Sequence, residues 1–269
     1  MSSTITSPAT ITPVEDYSRP TVNLPSGSTV FSTLLRADLI TQWRNRRASI
    51  LVILIPAIIL ISWKGLVERF GGPFVLANCI TVGLNAIGLM GYTNSIARDR
   101  DKGIFQRLRI TPAPRWTIMA SRLTVQLLMI AITTTILFIV GYQADHIVMK
   151  PNGYALTFLT AIVGGAVYLS LGQVIVGLIR NAETVNVVTR LVYFAFIMIG
   201  MFGSLGMLGP QISLVSKWSP YGTVQRLLAD SLHPAAWSST TSLALLLTIG
   251  YTILFSYFGI RWFRWQSSK

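Results

Sequence analysis

A chain of 269 residues that is 52% hydrophobic and only 12% charged cannot cover itself with a water-compatible surface, because a soluble domain carries roughly 25% charged residues. The net charge of +13 does not indicate nucleic-acid binding, since the Lys and Arg residues sit in short segments between long apolar runs, as anchors at a membrane face do. The single cysteine, Cys79, excludes an internal disulfide and a thiolate metal site.

Residues 1–30 are rich in Ser, Thr and Pro, include Glu15 and Asp16, and contain no apolar core of signal-peptide length. They are expected to form a disordered cytoplasmic tail ahead of a transmembrane domain over residues 31–265. Phe31, Leu34, Leu35, Leu39 and Trp43 recur at three-to-four-residue spacing beside Arg36, Arg44, Arg46 and Arg47, the pattern of an amphipathic helix at the membrane interface. A short first span follows at 50–63, with Pro56 as a candidate kink; a segment of that length fits either a crossing or a dip that returns.

Further spans are expected at 74–97, 117–142, 154–179, 191–208 and 241–260, all too long and too uniformly apolar for barrel strands. Between the last two, the segment around Trp218-Ser219-Pro220-Tyr221-Gly222 reads as short helices at or dipping into the interface. The expected fold is therefore all-α and integral to the membrane, with six spans.

Lys and Arg set the expected orientation. The N-terminal segment up to Arg47, the loop from Arg98 to Arg122, Arg180 and Arg190, and the end from Arg261 to Lys269 form one basic set. The opposite set holds only Lys64, Arg69, Lys150, Lys217 and Arg226. The basic set is assigned to the cytoplasm, which puts both termini there, in a plasma membrane of the bacterial inner-membrane type. Trp262 and Trp265 beside Arg261 and Arg264 form an interfacial anchor.

The loop between the second and third spans reads Arg98-Asp99-Arg100-Asp101-Lys102-Gly103-Ile104-Phe105-Gln106-Arg107-Leu108-Arg109-Ile110-Thr111-Pro112. Ile104, Phe105 and Leu108 fall on one face of a short helix that Pro112 and Pro114 terminate. An exposed apolar stripe there calls for a partner or a lipid surface. This loop resembles the cytoplasmic motif of ABC-transporter permeases of the type-2 exporter class. Gly103, Leu108, Thr111 and Pro112 match; Asp99 and Asp101 stand where the family often has Glu, Ile104 replaces the usual Thr and Gln106 the usual Glu. The six spans, the interfacial helix before them and the helical segment before the last span extend the likeness.

The resemblance implies a permease subunit, not an enzyme. It implies a second permease subunit, identical or different, and a separate ABC ATPase that carries ATP and magnesium. Asp99, Asp101, Gly103, Ile104, Phe105, Leu108, Thr111 and Pro112 would then form a coupling helix in a groove of that ATPase. The chain itself has no Gly-Lys pair and so no phosphate loop. The implied function is export of an amphipathic small molecule or a lipid-linked substrate, drug efflux among the options, with lipid-linked polysaccharide as an alternative cargo.

An enzyme acting on lipid would need reactive side chains clustered at depth, and the spans hold almost no ionisable residues away from their ends. His146 and His233 lack a second ligand at metal spacing, and no cofactor is expected. Asn85, Gln126, Thr134 and Gln173 fit either a substrate path or interhelical hydrogen bonding. Gly164, Gly165 and Gly172, and the three-residue repeat Gly200, Gly203, Gly206 and Gly209, fit close helix crossings.

Overall fold

The computed structural model describes residues 26–44, 46–109 and 115–262, and leaves the side chains of 46–49, 108, 109 and 115 undescribed. The expected tail over residues 1–25 and the expected anchor at Arg264 and Trp265 lie outside the described residues. The first helix already begins at Gly27, inside the segment expected to be disordered.

Among the described residues the chain is helical throughout. Helix α1 spans Gly27–Arg44 and lies against the start of α6, Arg115–Asp145. Helices α2 (Arg46–Ser62) and α3 (Lys64–Phe70) meet at a 66° bend at Trp63. The break is thus not at Pro56: α2 runs straight through it, and the proline ring is buried beside Gly83.

Helix α4 is one rod over Gly72–Asp101, with a π-helical stretch from Ala86 to Thr93. After the short α5, Ile104–Arg109, come α6 and α7, Pro151–Leu178. Helix α8 occupies Ala182–Ser204 and has its own π stretch, Phe196–Met201. Two shorter helices, α9 (Pro210–Trp218) and α10 (Pro220–Leu232), precede α11, Ser239–Trp262. Five helices are long and apolar enough to cross a membrane, and six if the bent α2–α3 pair counts as one. This is an all-α, multi-pass membrane protein.

Burial identifies the axis of the bundle. The apolar window of α4 is 83% buried and that of α11 only 17%, so α4 is wrapped by protein and α11 presents Leu246, Ile253 and Ile260 outward. Large exposed apolar side chains are what lipid requires and water forbids. The α8 helix starts at Ala182 rather than at Leu191, because Asn181 accepts from the backbone N–H of Glu183 and Thr184 and so provides a cap upstream of the apolar run.

The segment expected at or dipping into the interface is packed into the bundle. Tyr221, Val224, Leu227, Leu228 and Leu232 of α10 are all but fully buried, wedged among α4, α7 and α11. Ser219 caps it by accepting from Gly222 N–H, and Pro220 occupies the first turn, where a missing N–H costs nothing.

The glycines divide by role. A Cβ on Gly164 would meet Val224 at 2.6 Å, and one on Gly165, Gly172, Gly200 or Gly203 would likewise strike a neighbouring helix. Gly206 and Gly209 face open space; Gly209 has φ +88° and makes the turn into α9.

Candidate functional site

The charged run at the end of α4 is held by its own chain. Asp99 pairs with Arg122 on α6, and Arg122 lies 3.9 Å from Asp38 on α1. Ser121 Oγ donates to the same Asp38 carboxylate at 2.7 Å. The Arg122 guanidinium sits over the Phe105 ring, 5.3 Å from its centroid, within the range of a cation–π contact.

Arg100 is 3% exposed. Its guanidinium donates to the carbonyls of Val176 at 2.7 Å, Ile179 at 2.8 Å and Arg180 at 2.6 Å. Those carbonyls belong to the C-terminal end of α7, where no intrahelical donor remains and the helix dipole favours a cation. Asp101 works on the next helix: its carboxylate accepts from Ala182 N–H at 3.2 Å, at the start of α8, where an anion is favoured. Three consecutive residues therefore tie the loop to α6, α7 and α8, and Arg122 extends the tie to α1.

Gly103 closes α4. It adopts φ +67°, the left-handed conformation that lets the chain leave one helix and begin another; Lys102 N–H and Gly103 N–H bond back to Arg98 and Arg100 carbonyls. The sequence reading of an exposed apolar stripe on α5 is corrected here. Phe105 is 1% exposed and Ile104 half-buried, while Gln106 and Arg107 are exposed. With only six residues, α5 lies against Arg122 and turns its aromatic ring inward. The side chain of Leu108, and Thr111 and Pro112, lie outside the described residues.

The four intramembrane polar residues named from the sequence lie on three helices, α4, α6 and α7. Asn85 Nδ2 on α4 donates to Tyr193 O on α8 at 3.4 Å. Gln173 on α7 accepts from Tyr92 OH on α4 at 2.9 Å. Gln126 and Thr134 are buried on α6, and the Thr134 hydroxyl has no partner among the described residues. Asn85 and Gln173 thus each bond across to another helix. Two further asparagines of α4 join helices in the same way. Asn78 Oδ1 accepts from Ser204 Oγ at 3.4 Å and Tyr221 OH at 3.3 Å, joining α4, α8 and α10. Asn94 Oδ1 accepts from Thr189 Oγ1 at 3.4 Å.

Residues 65–261 match the family described as ABC-2 family transporter protein. The chain belongs to the ABC-2 transporter family. The matched region runs from α3 to the end of α11 and includes the whole tied loop, while α1 and most of α2 precede it. Over 126 residues the chain is 23% identical to "Putative transport permease YvfS" of Bacillus subtilis (strain 168), which covers 46% of this chain and 51% of that protein. The match thus spans about half the length of this curated relative.

Proposed function

We propose that this ABC-2 permease is the transmembrane subunit of an ATP-driven exporter. In this reading it sits in a bacterial inner membrane with both termini cytoplasmic, pairs with a second permease subunit, and docks on a separate ABC ATPase that binds ATP and magnesium. The cargo is an amphipathic small molecule or a lipid-linked compound, carried outward. One observation carries the reading: the Arg98–Arg107 segment is bound to α6, α7 and α8, and through Arg122 to α1, yet leaves Arg98, Lys102, Gln106 and Arg107 at the surface. A segment held on one side and open on the other transmits a push from a partner to every helix it is tied to. Buried Phe105 belongs to the holding side, and the exposed cations to the docking side.

The basic end of the bundle supports the assigned orientation, since Arg100, Arg122 and Arg180 meet there. Purification of the tagged full chain from its own host is expected to bring down, in equal amount, a soluble protein with the Gly-x-x-x-x-Gly-Lys-Ser/Thr motif. A Lys102→Glu/Arg107→Glu double variant is expected to insert normally but to lose that ATPase and all transport. Unchanged ATPase recovery and transport in the double variant would remove the docking role from this loop.

A further inference from the structure

At the end of the bundle opposite the tied loop, a groove of about 380 Å³ opens between the start of α4 and the helices α8, α9 and α10. Its polar wall holds Lys217, Gln225 and Arg226 beside Asp230, Ser204 and Ser213. Lys217 on α9 is exposed, with Nζ 5.1 Å from the Trp218 ring centroid, and no carboxylate lies within 4 Å of it among the described residues. Arg226 on α10 gives one N–H to Thr240 Oγ1 at 2.8 Å, and its Nε lies 3.6 Å from Asp230. Asp230 is also engaged by the Thr241 hydroxyl, so its charge is shared and the groove keeps a net positive character.

Gln225, next to Arg226 in the chain, lines the same groove. It is 6% exposed, and its amide nitrogen has no hydrogen-bond partner among the described residues. A buried amide donor without an acceptor is costly and rare in a folded protein. Gln225 lines the groove, and an acceptor that enters there would satisfy it. Phe74 on α4 supplies an apolar wall opposite.

We propose that this groove binds a phosphate group, with Lys217, Gln225 and Arg226 as its donors. Two cations and an amide donor set on two helices suit an anion whose oxygens point in several directions, as the tetrahedral phosphate group presents. The volume holds a head group and not a whole lipid, leaving the apolar part to run along Phe74 into the bilayer. Such a phosphate arises either from a lipid or from a free phosphate species. The proposal concerns binding by this chain alone and does not rest on ATP-driven export.

The test is calorimetric titration of the full-length protein in dodecyl maltoside with short-chain phosphatidylglycerol, short-chain phosphatidylcholine and inorganic phosphate. Phosphatidylglycerol is expected to bind, and Lys217→Gln and Gln225→Leu are each expected to weaken it about tenfold, the factor that one lost charge-assisted contact produces. Competition by inorganic phosphate assigns the site to free phosphate species; failure to compete assigns it to an amphipathic head group. Lys217 is exposed, so its variant reports on the site even where the Gln225 variant is poorly folded. Absence of binding by every phosphate probe overturns the proposal. So does equal affinity of the parent and Lys217→Gln, or binding of both lipids alike and independent of Lys217, which is partition into apolar surface. Because no ATPase is present, failure here leaves the exporter reading standing, and failure of that reading leaves this site standing.

Discussion

Arg122 stands between two carboxylates from different helices and over an aromatic ring, so its removal strands more than one group. An Arg122→Gln variant leaves Asp38 and Asp99 facing each other in a half-buried site and is expected to destabilise the protein by about 2 kcal/mol. In thermal unfolding in detergent that reads as a midpoint lower by about 6 °C. Asp38 behaves differently. Burial pushes its carboxyl above the ordinary value of 3.8, against the pull of Arg122. The folded state then holds this proton more tightly than the unfolded chain does. Stability contributed at this position therefore falls as pH rises from the ordinary value through the raised folded one. Asp38→Asn is expected to abolish that part of the acid-side slope and to cost far less at neutral pH than Arg122→Gln. Sequence reasoning placed Arg122 among the basic residues of the cytoplasmic set. Its partners were not legible, because Asp38 is 84 positions away and meets it only once α1 has docked. Phe105 was misread for the same reason: its helical face was right, but which side of that helix the bundle occupies depends on Arg122.

Helices α4 and α7 cross where Gly88 and Gly172 let backbones approach. A Cβ on Gly88 would lie 2.5 Å from the Tyr168 Cβ, and one on Gly172 would collide with the Thr93 hydroxyl and come within 3.0 Å of Gly88 O. Thr93 Oγ1 donates to that same carbonyl at 2.7 Å within the π stretch, so there is no slack on either side. Gly172→Ala is expected to cost about 2 kcal/mol, whereas Gly250→Ala on α11, where nothing lies within 4 Å, is expected to be neutral or to gain up to about 1 kcal/mol. Melting curves of the pair separate packing from propensity with the same chemical change. The long spans were legible because an uninterrupted apolar run has few other solutions in lipid. The early start of α8 was not, because Glu183, Asn186 and Arg190 break the run while leaving the helix intact. The burial of α10 was hidden too: Tyr221, Val224 and Leu228 share its turns with Gln225, Arg226 and Asp230, a mixture that reads as interfacial until three neighbours enclose it.

Across the whole molecule, burial falls from α4 outward, and the outer helices carry their largest apolar side chains on the surface. Composition alone made that inversion legible, since a chain with so little charge has to place apolar atoms outside. The exception to uniform spanning is the α2–α3 pair. Helix α2 has 17 residues, about 26 Å of helix, against a hydrocarbon layer of about 30 Å, and the chain then turns by 66°. Alone it is a poor substrate for the translocon, whereas in the finished fold it packs on α4 and α6. Its integration during synthesis is therefore expected to wait for the next helix to leave the ribosome. A nascent chain stopped after Phe70 should be extracted from membranes by alkaline carbonate, and one stopped after Asp101 should resist; equal resistance would mean that the bent hairpin enters the bilayer unaided.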